Sequence, residues 1–169
     1  MKFTGKVWKF GPNINTDLIL PGALQYSPPE EQIKCVFQAN RPGWVDEVRP
    51  GDIIIGGTNF GTGSSRPAAR SLKLVGLACL VADSINGLFY RNAVNFGFPA
   101  LECPGVANIF EEGHDVEVSF EDFTVRNITR GTTLQAPEIP ASLMRTVEAG
   151  GIYNLLESEG LIAPENGLV

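Results

Sequence analysis

The sequence predicts an α/β domain with parallel core strands joined by helical crossovers, to which a β-hairpin is added. Ile53-Ile54-Ile55, Ala78 to Ala82 and Pro99 to Cys103 are short apolar runs separated by segments of helical period, the alternation that builds a parallel sheet. Three consecutive isoleucines cannot alternate between core and solvent, so their strand is buried on both faces. Asp115 to Phe120 and Phe123 to Ile128 instead alternate at period two across Glu121-Asp122, which is a hairpin pattern.

Each element has its own signal. Residues 3–10 alternate weakly as a strand and enter the turn Gly11-Pro12-Asn13. A loop, Asn13 to Asp17, leads to the short apolar Leu18-Ile19-Leu20 and stops at Pro21-Gly22. Ser27 and Glu30, with Pro28 between them, predict a helix start, and Ile33, Val36 and Phe37 supply its buried face. Asp52 to Gly56 is the doubly buried strand. Pro67 fits a first helical turn, Ala68, Leu72 and Val75 follow at helical spacing, and Gly76 is the expected C-cap. Ser84 is the expected cap of a helix carrying Ile85, Leu88, Phe89 and Ala93 that ends near Gly97. A helix from about Pro140 to Ala149 precedes Gly150-Gly151 and a last short helix.

Bulk composition limits the function. The 169 residues, 43% of them hydrophobic, suit one domain over residues 1–169 with a genuine core. A formal charge of −6 without a basic block argues against nucleic acid or an anionic membrane as partner. Neither a secretory signal nor a membrane-spanning run is visible, so cytoplasmic residence is expected. Cys35, Cys79 and Cys103 are far apart in apolar surroundings and read as reduced core thiols. A three-cysteine iron–sulfur site is the alternative, but no Cys-x-x-Cys spacing supports it. His114, the only histidine, reads as a surface turn residue, and no metal site is expected. Trp8, Trp44 and Phe89 read as core or interface.

Chemistry concentrates in Gly57-Thr58-Asn59-Phe60-Gly61-Thr62-Gly63-Ser64-Ser65-Arg66-Pro67. Gly61 and Gly63 permit positive φ and close backbone approach, while the hydroxyls and the arginine offer hydrogen bonds and a fixed charge to a small anion. A phosphate-binding loop needs Gly-Lys-Ser or Gly-Lys-Thr, and this loop has Gly-Ser-Ser. The glycines also miss the dinucleotide spacing. On these residues alone, a carboxylate site and an ordinary strand-to-helix turn with a serine cap both remain open.

That loop, followed by Phe89-Tyr90-Arg91-Asn92-Ala93-Val94-Asn95-Phe96-Gly97 and preceded by Asn13-Ile14-Asn15-Thr16-Asp17-Leu18-Ile19-Leu20-Pro21, resembles the small subunits of 3-isopropylmalate dehydratase. These are separate swivel domains of the aconitase superfamily. The resemblance implies a single swivel-type domain of layered β/β/α architecture. It implies a partner, a large catalytic subunit carrying a 4Fe-4S cluster, with no cofactor bound by this chain. It also implies reversible dehydration of a 2-hydroxy dicarboxylic acid, as in the isopropylmalate isomerisation of leucine biosynthesis. By position in the motif, Ser64 is the expected base, Gly63, Ser65 and Arg66 hold a substrate carboxylate, and Thr16 and Asp17 either lie at the cleft or brace their loop. An unperturbed hydroxyl is too weak a base at neutral pH, so such a site must stabilise the alkoxide with backbone donors and nearby cations. The chain departs from the family at Pro67 and Ala68, where Glu and His are usual.

In this family the loop after Pro21 meets the substituent that varies between substrates. Here it reads Gly22-Ala23-Leu24-Gln25-Tyr26-Ser27, without a cation. A carboxylate left unpaired against Leu24 and Tyr26 is costly to bury, so Leu24, Gln25 and Tyr26 favour an uncharged alkyl group. Isopropylmalate leads; citramalate, 2,3-dimethylmalate and a carboxylate-binding module without catalysis are the alternatives.

Overall fold

The structure is a computed structural model that describes residues 1–63 and 66–164. Strand β1 (Lys2–Lys9) leads to the short helices α1 (Thr16–Ile19), α2 (Pro29–Lys34) and α3 (Trp44–Glu47), then to β2 (Ile53–Gly56). Helix α4 (Ala68–Leu74), β3 (Cys79–Ala82), α5 (Gly87–Asn95), β4 (Ala100–Glu102) and α6 (Val106–Ile109) follow. Strands β5 (Asp115–Ser119), β6 (Thr124–Asn127) and β7 (Thr132–Gln135) precede α7 (Ala141–Glu148) and α8 (Ile152–Ser158).

The strands form a seven-stranded sheet in the order β4-β3-β2-β1-β5-β6-β7. β1 serves both halves: Val7, Trp8 and Lys9 pair in parallel with Ile53, Ile54 and Ile55, while Lys2 to Lys6 run antiparallel to Ser119 to Asp115. Side chains along a strand alternate between faces. Ile54 accordingly joins Phe60, Leu72, Leu80 and Phe89 in one apolar cluster, and Ile53 and Ile55 join Val7, Val81 and Leu101 in another. All three isoleucines are fully buried, each contributing about 1.5–3 kcal/mol by leaving water. Val116, Val118 and Val125 belong to the second cluster. The sheet therefore curls until its antiparallel half covers one face of the parallel half, with α4 and α5 on the other. This is the β/β/α layering that the resemblance implies.

Where sequence and structure differ, local hydrogen bonding decides. Ser27 does not cap α2: Pro28 occupies the N-cap and Pro29 the first turn. The buried residue of α2 is Gln32, not Ile33. Asn86, not Ser84, caps α5 by accepting from the Leu88 N–H, while the Ser84 hydroxyl accepts from the Asn59 N–H. The hairpin is a three-stranded meander, because β7 pairs with β6 through Thr124 to Asn127. Gly76 does end α4 in a left-handed conformation (φ +100°), with its N–H bonded to the Lys73 carbonyl and that of Leu77 to Leu72. Those two bonds form a Schellman motif. Trp44 and Phe89 are buried in the first cluster, and Trp8 packs against it.

Candidate functional site

At the carboxyl ends of β1 and β2, two loops lie side by side and prolong the parallel pairing. The Asn13 N–H donates to the Thr58 carbonyl at 2.8 Å, and the Gly61 and Thr62 N–H groups donate to Ile14 at 2.7 and 3.0 Å. The Thr16 N–H then donates to Thr62 at 2.7 Å. These bonds satisfy the backbone donors of the two loops as a sheet ladder does.

Two glycines of the motif are required by what packs on them. Gly61 has φ +82°, and a Cβ there would lie 2.3 Å from Cγ of Phe89, whose ring packs edge-on against Phe60. Gly63 has φ +104°, and its Cβ would lie 2.7 Å from Asn15 Oδ1 and 2.9 Å from Thr16 Oγ1. Asn15 Oδ1 is occupied in capping α1, accepting from the Asp17 N–H at 2.8 Å. The cap places Thr16 and Asp17 in the first turn of α1, facing the Gly-rich loop. Thr16 is 1% exposed and, among the described residues, its hydroxyl has no hydrogen-bond partner.

Arg66 lies at the meeting point of these loops. Its guanidinium is ion-paired with the Asp17 carboxylate, and Nη1 donates to the Leu20 carbonyl at 3.3 Å. A Cβ at Gly22 would stand 2.9 Å from Nη2 and 3.0 Å from Cζ. The guanidinium thus rests on the bare backbone of the turn Gly22–Leu24. Gly63, Thr16, Asp17 and Arg66 are brought together, and the turn that begins the loop 22–27 joins them at Gly22. Leu24 and Gln25 are half-buried, whereas Tyr26 is 91% exposed. The expected base Ser64 and its neighbour Ser65 lie outside the described residues. Pro67 forms the N-cap of α4, and Ala68 is fully buried in the first cluster, where a histidine side chain has no room without repacking.

Cys79, Cys103 and His114 lie apart from these loops. Cys79 and Cys103 are buried in the second cluster. Burial pushes the Cys79 thiol well up, and burial with the nearby Asp83 charge pushes Cys103 up to about 11. Among the described residues no group of three or more His, Cys, Asp or Glu side chains is placed to hold a metal ion. His114 is half-buried rather than at the surface, its Nδ1 accepting from the Glu111 N–H at 3.2 Å beside Asn127. Gln32 is the buried polar residue that the sequence pattern hides: it stands four before Val36, at a spacing where an apolar residue is expected.

Comparison with known proteins identifies the family and the fold. Residues 22–105 match the aconitase C-terminal domain. The chain is 45% identical over 158 residues to 3-isopropylmalate dehydratase small subunit 1 of Methanopyrus kandleri, covering 92% of this chain and 93% of that protein. It is 43% identical over 157 residues to the isopropylmalate/citramalate isomerase small subunit of Methanocaldococcus jannaschii, covering 92% and 94%. The crystal structure of a 3-isopropylmalate dehydratase from the same organism superposes with a TM-score of 0.89 at 29% identity, covering 99% of this chain and all of that one. Matches of this extent leave no part of the fold unaccounted for, and the chain belongs to the 3-isopropylmalate dehydratase small-subunit family of the aconitase superfamily.

Proposed function

We propose that this chain is the small subunit of a hydro-lyase that isomerises 2- and 3-isopropylmalate by reversible dehydration, working with a larger catalytic subunit. The observation that supports it most directly is the seating of Arg66: a mostly buried guanidinium at the carboxyl end of the sheet, oriented by Asp17 and Leu20 over a turn with no side chain in its way. A planar cation held in this manner suits bidentate recognition of a carboxylate.

In this reading Arg66 and Ser65 bind one substrate carboxylate. Ser64 takes the proton from the adjacent carbon, its alkoxide stabilised by the Gly63 backbone and by the Arg66 charge. Cys35 is partly exposed while Cys79 and Cys103 are buried in the second cluster, and no Cys-x-x-Cys spacing relates any two of them. We therefore assign the 4Fe-4S cluster to the larger subunit, where it supplies a Lewis-acidic site for the departing hydroxyl.

The loop Gly22 to Ser27 contains no cation, so it favours an alkyl substituent over a third carboxylate. The isopropylmalate/citramalate naming of the Methanocaldococcus relative supports citramalate as the second substrate. No helix of the described residues is long and apolar enough to cross a membrane, which is compatible with a cytoplasmic biosynthetic enzyme. The test is to mix the chain with candidate iron-containing larger subunits and supply 3-isopropylmalate, citramalate and 2,3-dimethylmalate side by side. Turnover on mixing, highest with 3-isopropylmalate, is expected; carboxylate binding with no turnover beside any such partner would favour a non-catalytic module.

A further inference from the structure

Gln32 is fully buried, yet it is polar on a helix of six residues. Its Nε2 donates to the carbonyls of Leu24, Gln25 and Ser27 at 3.1, 3.2 and 3.0 Å. On its other side, Arg70 Nη2 donates to Oε1 at 3.3 Å, and Ser71 Oγ, which also stands 3.2 Å from the Pro67 carbonyl, lies 3.4 Å from the same atom. The two N–H groups of Nε2 are shared among three carbonyls while Oε1 faces Arg70 Nη2, and this fixes which way the amide points, because a flipped amide would set like groups against each other. Arg70 and Ser71 belong to α4, the helix that starts directly after Arg66-Pro67. The amide is thus the link between the loop expected to face the variable substituent and the helix that follows the carboxylate-binding arginine.

We propose that Gln32 is a positioning residue that fixes the shape of residues 24–27 and their distance from Arg66, and through them the choice of alkyl substituent. This rests on the function proposed above. Without the clamp, three carbonyls lose their common donor and the loop samples other shapes. A carboxylate held by Arg66 would still bind, but the wall against its alkyl group would no longer be set. Discrimination by a formed apolar pocket is about 10–200-fold for a single methylene, and a mobile wall largely forfeits it.

The experiment compares wild type, Gln32→Leu and Ser71→Ala. Amide hydrogen exchange is read at Leu24, Gln25 and Ser27, whose N–H groups bond to Pro21, Gly22 and Leu24. In the complex with the larger subunit, kcat and KM are measured for 3-isopropylmalate and citramalate. Gln32→Leu should lose protection at those amides while β2 and β3 keep theirs. The ratio of kcat/KM between the two acids should fall about tenfold, through KM more than kcat. Ser71→Ala, which removes a hydroxyl whose one proton is shared between Gln32 Oε1 and the Pro67 carbonyl, should move both readouts the same way by a smaller factor. Unchanged protection in both variants, or lost protection with an unchanged ratio, would overturn the proposal. Absence of turnover by the wild-type complex with either acid would instead refute the functional reading, and the exchange data would still decide whether Gln32 clamps the loop.

Discussion

The carboxylate of Asp17 and the guanidinium of Arg66 form an ion pair in which the acid is 59% exposed and the base only 17%. The asymmetry matters because the cation is held and mostly desolvated while its partner faces solvent, the setting in which a charge-assisted bond from the guanidinium to a carboxylate is strongest. An ammonium on a flexible stem cannot present the same planar fork. Arg66→Lys is expected to lower kcat/KM by about ten- to a hundredfold, the range of one charge-assisted hydrogen bond, mainly as a higher KM. Steady-state kinetics of the assembled enzyme checks this, and an unaltered KM would remove Arg66 from carboxylate binding.

Gly22 offers a subtler change at the same contact. Its Cβ would collide only with the tip of the Arg66 side chain, which can swing away. Gly22→Ala should therefore alter stability by no more than about 1 kcal/mol, yet raise KM several-fold by displacing the guanidinium. Urea unfolding and kinetics on one preparation separate the two effects.

Gly61 is different, since a Cβ there would meet the inner atoms of Phe89 and the residue has φ +82°. Left-handed strain and overpacking add, so Gly61→Ala should cost about 2–4 kcal/mol of stability. A urea midpoint within error of wild type would show that the Phe60–Phe89 contact is far softer than its geometry implies.

Burial of Cys79 and Cys103 makes a contribution to stability that is lost at alkaline pH. Their folded-state pKa values lie above the ordinary 9.0, so the native state keeps protons that the unfolded chain releases. Their contribution is intact below pH 9.0 and falls as pH rises from there, for Cys103 through about 11. Unfolding midpoints should drop across that interval. At pH 8, iodoacetamide should label only the partly exposed Cys35 in the native protein, and Cys79 and Cys103 only after unfolding.

The parallel core was legible because Ile53-Ile54-Ile55 admits a single explanation, burial on both faces, and the glycines at 61 and 63 announced backbone that approaches something closely. Residues that act through local hydrogen bonds were harder to see. Ser84 and Asn86 are both good caps two residues apart, and the choice depends on Ser84 being needed by Asn59, which no periodicity encodes. β7 was hidden because only Leu134 of Thr132 to Gln135 packs against the core. Gln32 was masked for a related reason: a buried amide serving three carbonyls looks, in sequence, like any polar helix residue. The Asp17–Arg66 pair depends on two loops paired through Ile14 and Thr62, a tertiary relation beyond pattern reading.

The most direct measurement is turnover of 3-isopropylmalate by the chain reconstituted with a cluster-bearing larger subunit, comparing wild type with Ser64→Ala. Activity is expected only when both subunits are present, and the variant should still assemble while its kcat falls by at least about 10²–10³-fold. A Ser64→Ala complex that turns over at the wild-type rate would contradict the assignment of the proton-abstracting group to this chain.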